Sequence, residues 1–373
     1  MKWSRTLVVV LLGAVVVALP VFSPVSRAQK KPALPTEATV PRLERDIAGI
    51  MKKAGVPGLA IAVIRGGKTT WLHGFGMKEV TTNQPVTGET VFEAASLSKP
   101  LFTCGVLKLV EQGKLGLDVP LTTYLPKPFV AGDERLAKIT ARIVLSHRTG
   151  FPNWPADDGS VSIYFTPGER FSYSGEGYIY LQRVVEKITG KPLNEYMTEA
   201  VFTPLGMSSS SYVWRPDFDA LTATGHDSDG KPTELEKPAE ALAASTLNTT
   251  ARDYALFVEA ILTGKGLKSA TLREMEKAEI ALDPECRICI RQEPKQLSEN
   301  LFWGLGWGIE RKDGTDALWH WGDNGSFKAF VMADPKTKSA VVIFANSQNG
   351  LEAAKPVVGE AMGRGSLAFA WLK

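Results

Sequence analysis

The stretch Ser96-Leu97-Ser98-Lys99 is followed by an apolar run from Leu101 to Val110, which predicts a buried helix. Pro100 limits how much helix can precede it, because proline is tolerated only in the first turn, so we expect Ser96 at the helix N-terminus. A lysine three residues further along a helix lies on nearly the same face, which would make Lys99 a neighbour of Ser96. A serine hydroxyl needs a nearby base to act as a nucleophile, and a helix N-terminus favours the alkoxide. The stretch therefore predicts Ser96 as a nucleophile and Lys99 as its base or proton relay.

The Ser-x-x-Lys pattern is weak by itself and has other readings. A helix-capping serine followed by a surface lysine gives the same letters. A second copy, Ser228-Asp229-Gly230-Lys231, lies in the segment 226–232, whose Asp, Gly and Pro residues predict a turn with the lysine in solvent. We interpret this second copy as chance.

A second motif, Tyr173-Ser174-Gly175, precedes a predicted helix that ends at Gly190. A phenol hydrogen-bonded to an ammonium group has a lowered pKa, so Tyr173 beside Lys99 would pass a proton between nucleophile, leaving group and water. The alternative is a half-buried core tyrosine, a common role for this residue type.

A third motif, His320-Trp321-Gly322, is predicted on a strand. Gly322 would let a substrate lie flat against that strand, and the following N–H would join that of Ser96 as an oxyanion hole. His320 would contact the substrate and gain a charge as the pH falls through about 6 to 7. The alternative is a structural histidine.

The two ends of the chain predict a single sheet. Periodicity and turn residues indicate helices and strands in this order: a helix from 39, strands 58–64 and 70–75, a helix 251–262, strands 327–332 and 340–345, and a helix 351–362. The fold class is therefore α/β (α+β), an antiparallel sheet flanked by helices with an inserted, mainly helical lobe. We assign about 39–95 and 300–363 to the sheet lobe, about 96–299 to the helical lobe, and 364–373 to a C-terminal tail.

The N-terminal residues 1–28 are typical of a secretory signal peptide. Basic residues precede an apolar run, and small residues at Ser26 and Ala28 predict cleavage after Ala28, followed by a linker at 29–38. We expect a periplasmic or secreted protein with no stable membrane span after cleavage; an uncleaved anchor is the alternative. The signal holds Lys2, Arg5 and Arg27 and no acidic residue, so the formal charge of +3 falls to about zero in the remaining chain. This balance does not favour nucleic acid as a partner.

The three cysteines and four histidines predict no metal or cofactor. Cys286 and Cys289 form a lone Cys-x-x-Cys without a second pair to complete a zinc site, so we expect a local disulfide, with two free thiols as the alternative. Cys104 is predicted in the core. The histidines lack the His-Glu-x-x-His spacing of a catalytic zinc site.

The order of the three motifs resembles the serine β-lactamase and penicillin-binding protein superfamily, on the branch of class C β-lactamases and family VIII carboxylesterases. The resemblance spans about 39–363 and includes the segments 109–118, 145–150 and 250–253. Ser-x-x-Lys is a mark of these enzymes. By this resemblance Ser96 is the acylated nucleophile, Lys99 and Tyr173 share the proton transfers, and Asp323 lends its backbone N–H to the oxyanion hole. Asn346, at the end of the last strand, would face the substrate.

Two departures from the family pattern bear on the substrate. Gly175 stands where lactamases have the asparagine that holds the acylamido group of a β-lactam, and His320 stands where they have a permanently charged lysine. Histidine is mostly neutral above its reference pKa of about 6.5, so recognition of a substrate carboxylate would be weaker.

These departures favour an exported serine hydrolase that acts on small esters or amides. The alternatives are a β-lactamase or D-alanyl-D-alanine carboxypeptidase acting on β-lactams or cell-wall peptide, and an inactive relative that binds such a peptide or a partner protein. The Gly-x-Ser-x-Gly motif of a rival hydrolase class does not occur in the chain.

Overall fold

The strands form one large antiparallel sheet and one small one. A computed structural model describes residues 39–373 and, before them, only residues 1–3, 7 and 9, so the predicted signal peptide and linker lie outside the described residues apart from these five positions. The strands are β1 (Gly58–Arg65), β2 (Lys68–Gly76), β3 (Val91–Ala95), β4 (Leu247–Thr250), β5 (Ile280–Ala281), β6 (Leu301–Trp303), β7 (Gly308–Lys312), β8 (Thr315–Asp323), β9 (Lys328–Asp334) and β10 (Ser339–Ala345). The large sheet has the order β2-β1-β10-β9-β8-β7-β6-β5, and β3 pairs separately with β4.

The α-helices lie mostly between β3 and β5, with others at the two chain ends. They are α1 (Thr39–Ala54), α2 (Ser98–Glu111), α3 (Ala141–Leu145), α4 (Gly175–Thr189), α5 (Leu193–Met197), α6 (Thr203–Leu205), α7 (Phe218–Leu221), α8 (Ala251–Thr263), α9 (Ser269–Met275), α10 (Gly350–Met362) and α11 (Ala368–Trp371). Short 3-10 helices at Leu121–Thr123 and Glu134–Lys138 and a π-helix at Thr198–Phe202 complete the set. None of the helices in the described part of the chain is both long and apolar enough to cross a membrane.

Side chains that alternate along the central strands build two cores. In β10, Val342 and Phe344 contact the core under the inserted helices, whereas Val341 and Ile343 contact the core beneath α1 and α10. Because successive side chains of a strand point to opposite faces, a strand buried on both faces reads as a continuous apolar run. The predicted antiparallel sheet drawn from both chain ends, with helices on its faces, is confirmed.

Three details differ from the expected lobe boundaries. Strand β4 pairs with β3, and β5 joins the large sheet, although both lie within 96–299. Residues 364–373, expected as a tail, carry α11, and the side chain of Trp371 is buried with its indole N–H donating to the Asp283 carbonyl. Arg364 forms a 2.6 Å ion pair with the fully buried carboxylate of Glu310. Residues 364–373 therefore pack against the rest of the fold, because they supply partners for buried polar groups.

Candidate active site

Ser96 lies in a two-residue turn between β3 and α2. The helix begins at Ser98, two residues later than the sequence predicts, and the Leu97 N–H donates to the Ala94 carbonyl at 3.0 Å. Ala95 has a positive φ of 49°, a left-handed conformation that costs a non-glycine residue about 1–2 kcal/mol. Strain of this kind is common at functional positions, where the surrounding structure enforces it. The turn projects Ser96 from the edge of the small sheet toward the start of the helix.

Lys99 lies one helical turn beyond Ser96, as the spacing predicts. Its Nζ is 3.1 Å from Ser96 Oγ and donates to the Ala244 carbonyl at 2.8 Å. The side chain is only 1% exposed, and this burial lowers the pKa of Lys99 to about 7, because a charged ammonium loses its hydration. About half of the Lys99 amines are therefore neutral near pH 7 and able to accept the Ser96 proton.

Tyr173 lies beside Lys99, but not in the arrangement expected from the sequence. The Lys99 ammonium sits over the tyrosine ring, 4.8 Å from its centroid, instead of hydrogen-bonding its hydroxyl. Burial raises the pKa of Tyr173 above its usual value, and the nearby Ser96 hydroxyl offsets only part of that rise. Among the described residues the Tyr173 hydroxyl has no hydrogen-bond partner of normal geometry. The expected lowered pKa is thus wrong, and Tyr173 is a protonated phenol, a donor instead of a base.

The chain around Gly175 explains its departure from the family pattern. The Gly175 N–H donates to Asn153 Oδ1 at 2.9 Å, and a Cβ at Gly175 would lie 2.5 Å from the Asn153 carbonyl oxygen. Ser174 caps α4 by accepting from the Gly177 N–H. Asparagine in place of Gly175 would therefore require the 153 segment to move.

His320 lies on β8 as predicted, but it is fully buried. Its Nδ1 lies 2.8 Å from the Trp321 carbonyl, to which it donates in the neutral ring, and the ring is 5.3 Å from that of Trp303. Burial, reinforced by the charge of Lys99, lowers the pKa of His320 to about 3. The expectation that His320 titrates between pH 6 and 7 and supplies a cation to the substrate is therefore wrong, because burial shields the ring from the solvent that would stabilise its charge.

We expect the ratio of catalytic efficiencies for an anionic and a neutral ester to stay constant between about pH 5.5 and 8, since His320 remains neutral throughout. Protonation of Lys99 in this range stops both reactions alike and cancels in the ratio. Initial rates for a matched pair of p-nitrophenyl esters would measure it. A ratio that rises as the pH falls through 7 would contradict the burial of the ring, and His320→Gln serves as the control without a titrating group.

Gly322 and Asp323 lie at the end of β8. A Cβ at Gly322 would lie 2.3 Å from the Ala94 carbonyl oxygen, so the space above this glycine is filled by β3 instead of a substrate. The missing side chain lets β8 approach the segment that carries Ser96. The Asp323 side chain pairs with Lys328 and accepts from the Gly325 N–H at 3.0 Å, which fixes the turn after the strand.

The backbone at Ser96 and at the end of β8 concerns the predicted oxyanion hole and the binding of a substrate. The Ser96 backbone N–H donates no hydrogen bond to any other described residue. In the described structure, β7 pairs with β8 only as far as Trp319, while residues 320–323 pair with β9 alone. The end of β8 therefore has one edge without a partner among the described strands, although residues 320–322 are buried.

Asn346 does not face a substrate. It is fully buried, and its Nδ2 lies within hydrogen-bond distance of the carbonyls of Met77, Lys78 and Thr224. The sequence prediction is wrong here because the amide ties the end of β10 to two loops of the same chain.

The remaining sequence predictions concern cysteines, metals and the second Ser-x-x-Lys. Cys286 and Cys289 are joined by a disulfide, and Cys104 is a buried free thiol. Within the residues that the structure describes, no three His, Cys, Asp or Glu side chains are grouped to hold a metal ion. Ser228 and Lys231 are exposed in a turn, as predicted, and form no second site.

His147, which none of the three sequence motifs includes, packs against Tyr173. The two rings are stacked with centroids 4.2 Å apart, and His147 is fully buried. Burial, with the nearby Lys99 charge, lowers the pKa of His147 well below its usual value, so the ring is neutral. In the sequence, the segment 145–150 is distinguished only by its family resemblance. Nothing in this segment indicates that the His147 ring contacts Tyr173.

Two curated proteins with similar sequences are Protein flp and Penicillin-binding protein 4*. The chain is 21% identical to Protein flp of Staphylococcus aureus strain MRSA252 over 319 residues, which cover 79% of this chain and 60% of that protein. It is 30% identical to Penicillin-binding protein 4* of Bacillus subtilis strain 168 over 171 residues, 40% of this chain and 37% of that one. The chain thus spans less than two thirds of the length of these curated relatives.

Solved structures share the fold. The octameric penicillin-binding protein homologue from Pyrococcus abyssi superposes with a TM-score of 0.72 at 24% identity, covering 87% of this chain and 78% of that chain. The D-alanine carboxypeptidase AmpC from Burkholderia cenocepacia gives a TM-score of 0.72 at 21% identity, covering 87% and 99%. The family profile described as Beta-lactamase matches residues 43–358, which include Ser96, Lys99, Tyr173 and His320. With this match over most of its length, the chain belongs to the beta-lactamase family.

Proposed function

We propose that this chain is an exported serine hydrolase that forms an acyl-serine intermediate from small esters or amides. The observation that carries this proposal is the buried Lys99 amine, 3.1 Å from Ser96 Oγ and with a pKa of about 7. A base is most effective when its pKa is close to the working pH, because it must be neutral to accept a proton and basic enough to hold it.

Acylation begins when Ser96 Oγ attacks the carbonyl carbon of the substrate and its proton passes to neutral Lys99. An Oγ–C bond forms, and the carbonyl π electrons move to oxygen. The Ser96 N–H, which is free within the described structure, and the Asp323 N–H would donate to that oxyanion. Asp323 would then act through its backbone N–H and not through its side chain.

Collapse of the intermediate breaks the bond to the leaving group. The protonated Tyr173 hydroxyl gives its proton to the leaving oxygen or nitrogen, and the proton held by Lys99 then restores the phenol, once the ammonium has moved from its place over the ring toward the hydroxyl. Water then attacks the acyl-serine with Lys99 as base, which releases the carboxylic acid and restores Ser96. Lys99 thus takes part in every proton transfer, and Tyr173 takes part in the protonation of the leaving group.

The side chains around the site favour esters over β-lactams. His320 is neutral, and Gly175 has no side chain to hold an acylamido group. A substrate carboxylate would therefore gain little from these two positions, whereas the chemistry at the carbonyl needs neither.

A D-alanyl peptide or β-lactam is the second candidate substrate. The edge of β8 at 320–323, unpaired within the described structure, favours it, because an extended peptide can pair with such an edge through its backbone. The similar AmpC of Burkholderia cenocepacia is described as a D-alanine carboxypeptidase. Cell-wall peptide thus stays an alternative to a small ester.

The proposal is tested by mass spectrometry of the protein after exposure to a fluorophosphonate and, separately, to a penicillin. We expect a fluorophosphonate adduct on the peptide that holds Ser96, and a higher kcat/KM for a neutral p-nitrophenyl ester than for penicillin. Absence of any adduct would favour a binding protein without catalysis, whereas a preference for penicillin would favour the second candidate. Sequencing of the secreted protein tests export, for which we expect Gln29 as the first residue.

A further inference from the structure

The backbone on both sides of Tyr173 is held by hydrogen bonds from three consecutive amides. The Ser172 N–H donates to the His147 carbonyl at 2.9 Å, and the Tyr173 N–H donates to the Arg287 carbonyl at 3.0 Å. The Ser174 N–H donates to Nδ1 of the His147 ring, also at 3.0 Å. His147 therefore holds the residues before and after the tyrosine, one through its backbone and one through its side chain.

The hydrogen bond from Ser174 defines the form of the His147 ring. Because Nδ1 accepts an N–H, it carries no hydrogen, and the single ring hydrogen of the neutral form is on Nε2. The same ring stacks on Tyr173 at 4.2 Å and meets the Trp303 ring edge-on at 5.1 Å. His147 thus contacts both the ring and the flanking backbone of Tyr173.

The backbone of His147 is itself unusual. Its φ is +54°, in the left-handed region that few residues other than glycine adopt, although Asn, Asp and His do so more often than the rest. Its N–H donates to the Val144 carbonyl at the end of α3, which fixes the residue against the helix. A strained conformation at a buried residue packed on the catalytic tyrosine is what a positioning role requires.

We infer that His147 is a positioning residue, which holds Tyr173 chiefly through the Ser174 amide so that its hydroxyl stays between Ser96 and the leaving group. This inference rests on the proposed function, because it gives Tyr173 a part in proton transfer. His147 itself does not touch the reacting atoms in this scheme. Its loss would slow the proton transfers without weakening substrate binding.

The test compares two variants that both suit a positive φ. In His147→Asn the carboxamide oxygen replaces Nδ1 as acceptor for Ser174, whereas His147→Gly has no acceptor; both lack the ring. We expect kcat for a neutral ester to stay within about fivefold of wild type in the Asn variant and to fall by about 30- to 100-fold in the Gly variant, with KM within about threefold in each. Lys338→Gly, a change at another positive-φ residue in the turn between β9 and β10, is the matched control and should leave kcat unchanged.

Rates are expressed per folded molecule, counted by circular dichroism, so that a loss of folding does not count as a loss of activity. Equal kcat values for the Asn and Gly variants would overturn the role of the Nδ1 acceptor. A fall in melting temperature of the Gly variant with unchanged kcat would overturn positioning altogether. A wild-type protein that hydrolyses no ester and takes no fluorophosphonate label would instead overturn the proposed function.

Discussion

Ser96→Ala lowers kcat/KM for an activated ester by at least about 10⁴-fold, because it removes the only atom that can be acylated in the proposed mechanism. The variant should keep its fold, since Ser96 Oγ accepts one hydrogen bond, from Lys99, and lies in a turn instead of a packed core. Stopped-flow or plate assays with p-nitrophenyl acetate measure the rate, and thermal unfolding checks the fold.

The chain offers a matched control in the second Ser-x-x-Lys. Ser228→Ala changes a serine three residues before a lysine in the same way, but in an exposed turn. We expect its activity to equal that of wild type. Comparable losses in both variants would mean that the assay reports stability, and no loss in Ser96→Ala would remove Ser96 from the mechanism.

Local patterns were sufficient to predict the contact between Ser96 and Lys99. The three-residue spacing places the two side chains close together, although Ser96 lies in the turn just before α2. The same holds for the apolar run 340–345, which predicts a strand and forms most of β10. The predicted strands at the two chain ends pair with each other in one sheet, which confirms the predicted topology.

Predictions about charge failed where they depended on burial. His320 and Tyr173 were assigned to the site, but their pKa shifts follow from desolvation by residues distant in sequence, such as Trp303. Spacing along the chain indicates which groups are neighbours, but not how much water surrounds them. Asn346 shows the same limit: its three carbonyl partners come from loops at 77–78 and 224.

The presence of a glycine at position 322 fits two interpretations. Gly322 was expected to make room for a substrate, yet it makes room for the Ala94 carbonyl. Both interpretations need close approach of a backbone, and the sequence does not say whose. Ala95 precedes Ser96 in the chain, and His147 packs on Tyr173. The sequence does not indicate that either residue has a positive φ, since left-handed φ values in non-glycine residues are set by the tertiary structure.

Lys99→Met should lower kcat by about 10³-fold or more and yet make the protein more stable at pH 7. Methionine matches the length of the buried stem but cannot accept the Ser96 proton. Burial lowers the pKa of Lys99 from its usual 10.5 to about 7, so folding at neutral pH requires release of a proton from a lysine that would hold it in the unfolded chain. The substitution removes this cost but also loses the hydrogen bond to the Ala244 carbonyl. The net effect is a gain of about 1–3 kcal/mol in the free energy of unfolding.

The pH dependence of that gain gives a sharper test. Between about pH 7 and 10.5 the unfolded wild-type chain binds more protons at Lys99 than the folded protein does, so wild-type stability rises with pH across this window. The advantage of Lys99→Met is therefore largest at pH 7 and below, and shrinks toward pH 10. Urea unfolding at pH 7 and 9.5 measures the change. The control is Lys114→Met, at an exposed lysine after α2, which should shift stability by less than about 0.5 kcal/mol at either pH.

The titration of Lys99 should also appear in the wild-type kcat/KM, as a loss of activity below about pH 7. A Lys99→Met protein less stable than wild type at pH 7 would mean that the ammonium is charged and stabilised inside the fold, and Lys99 would then be unable to serve as the base for Ser96.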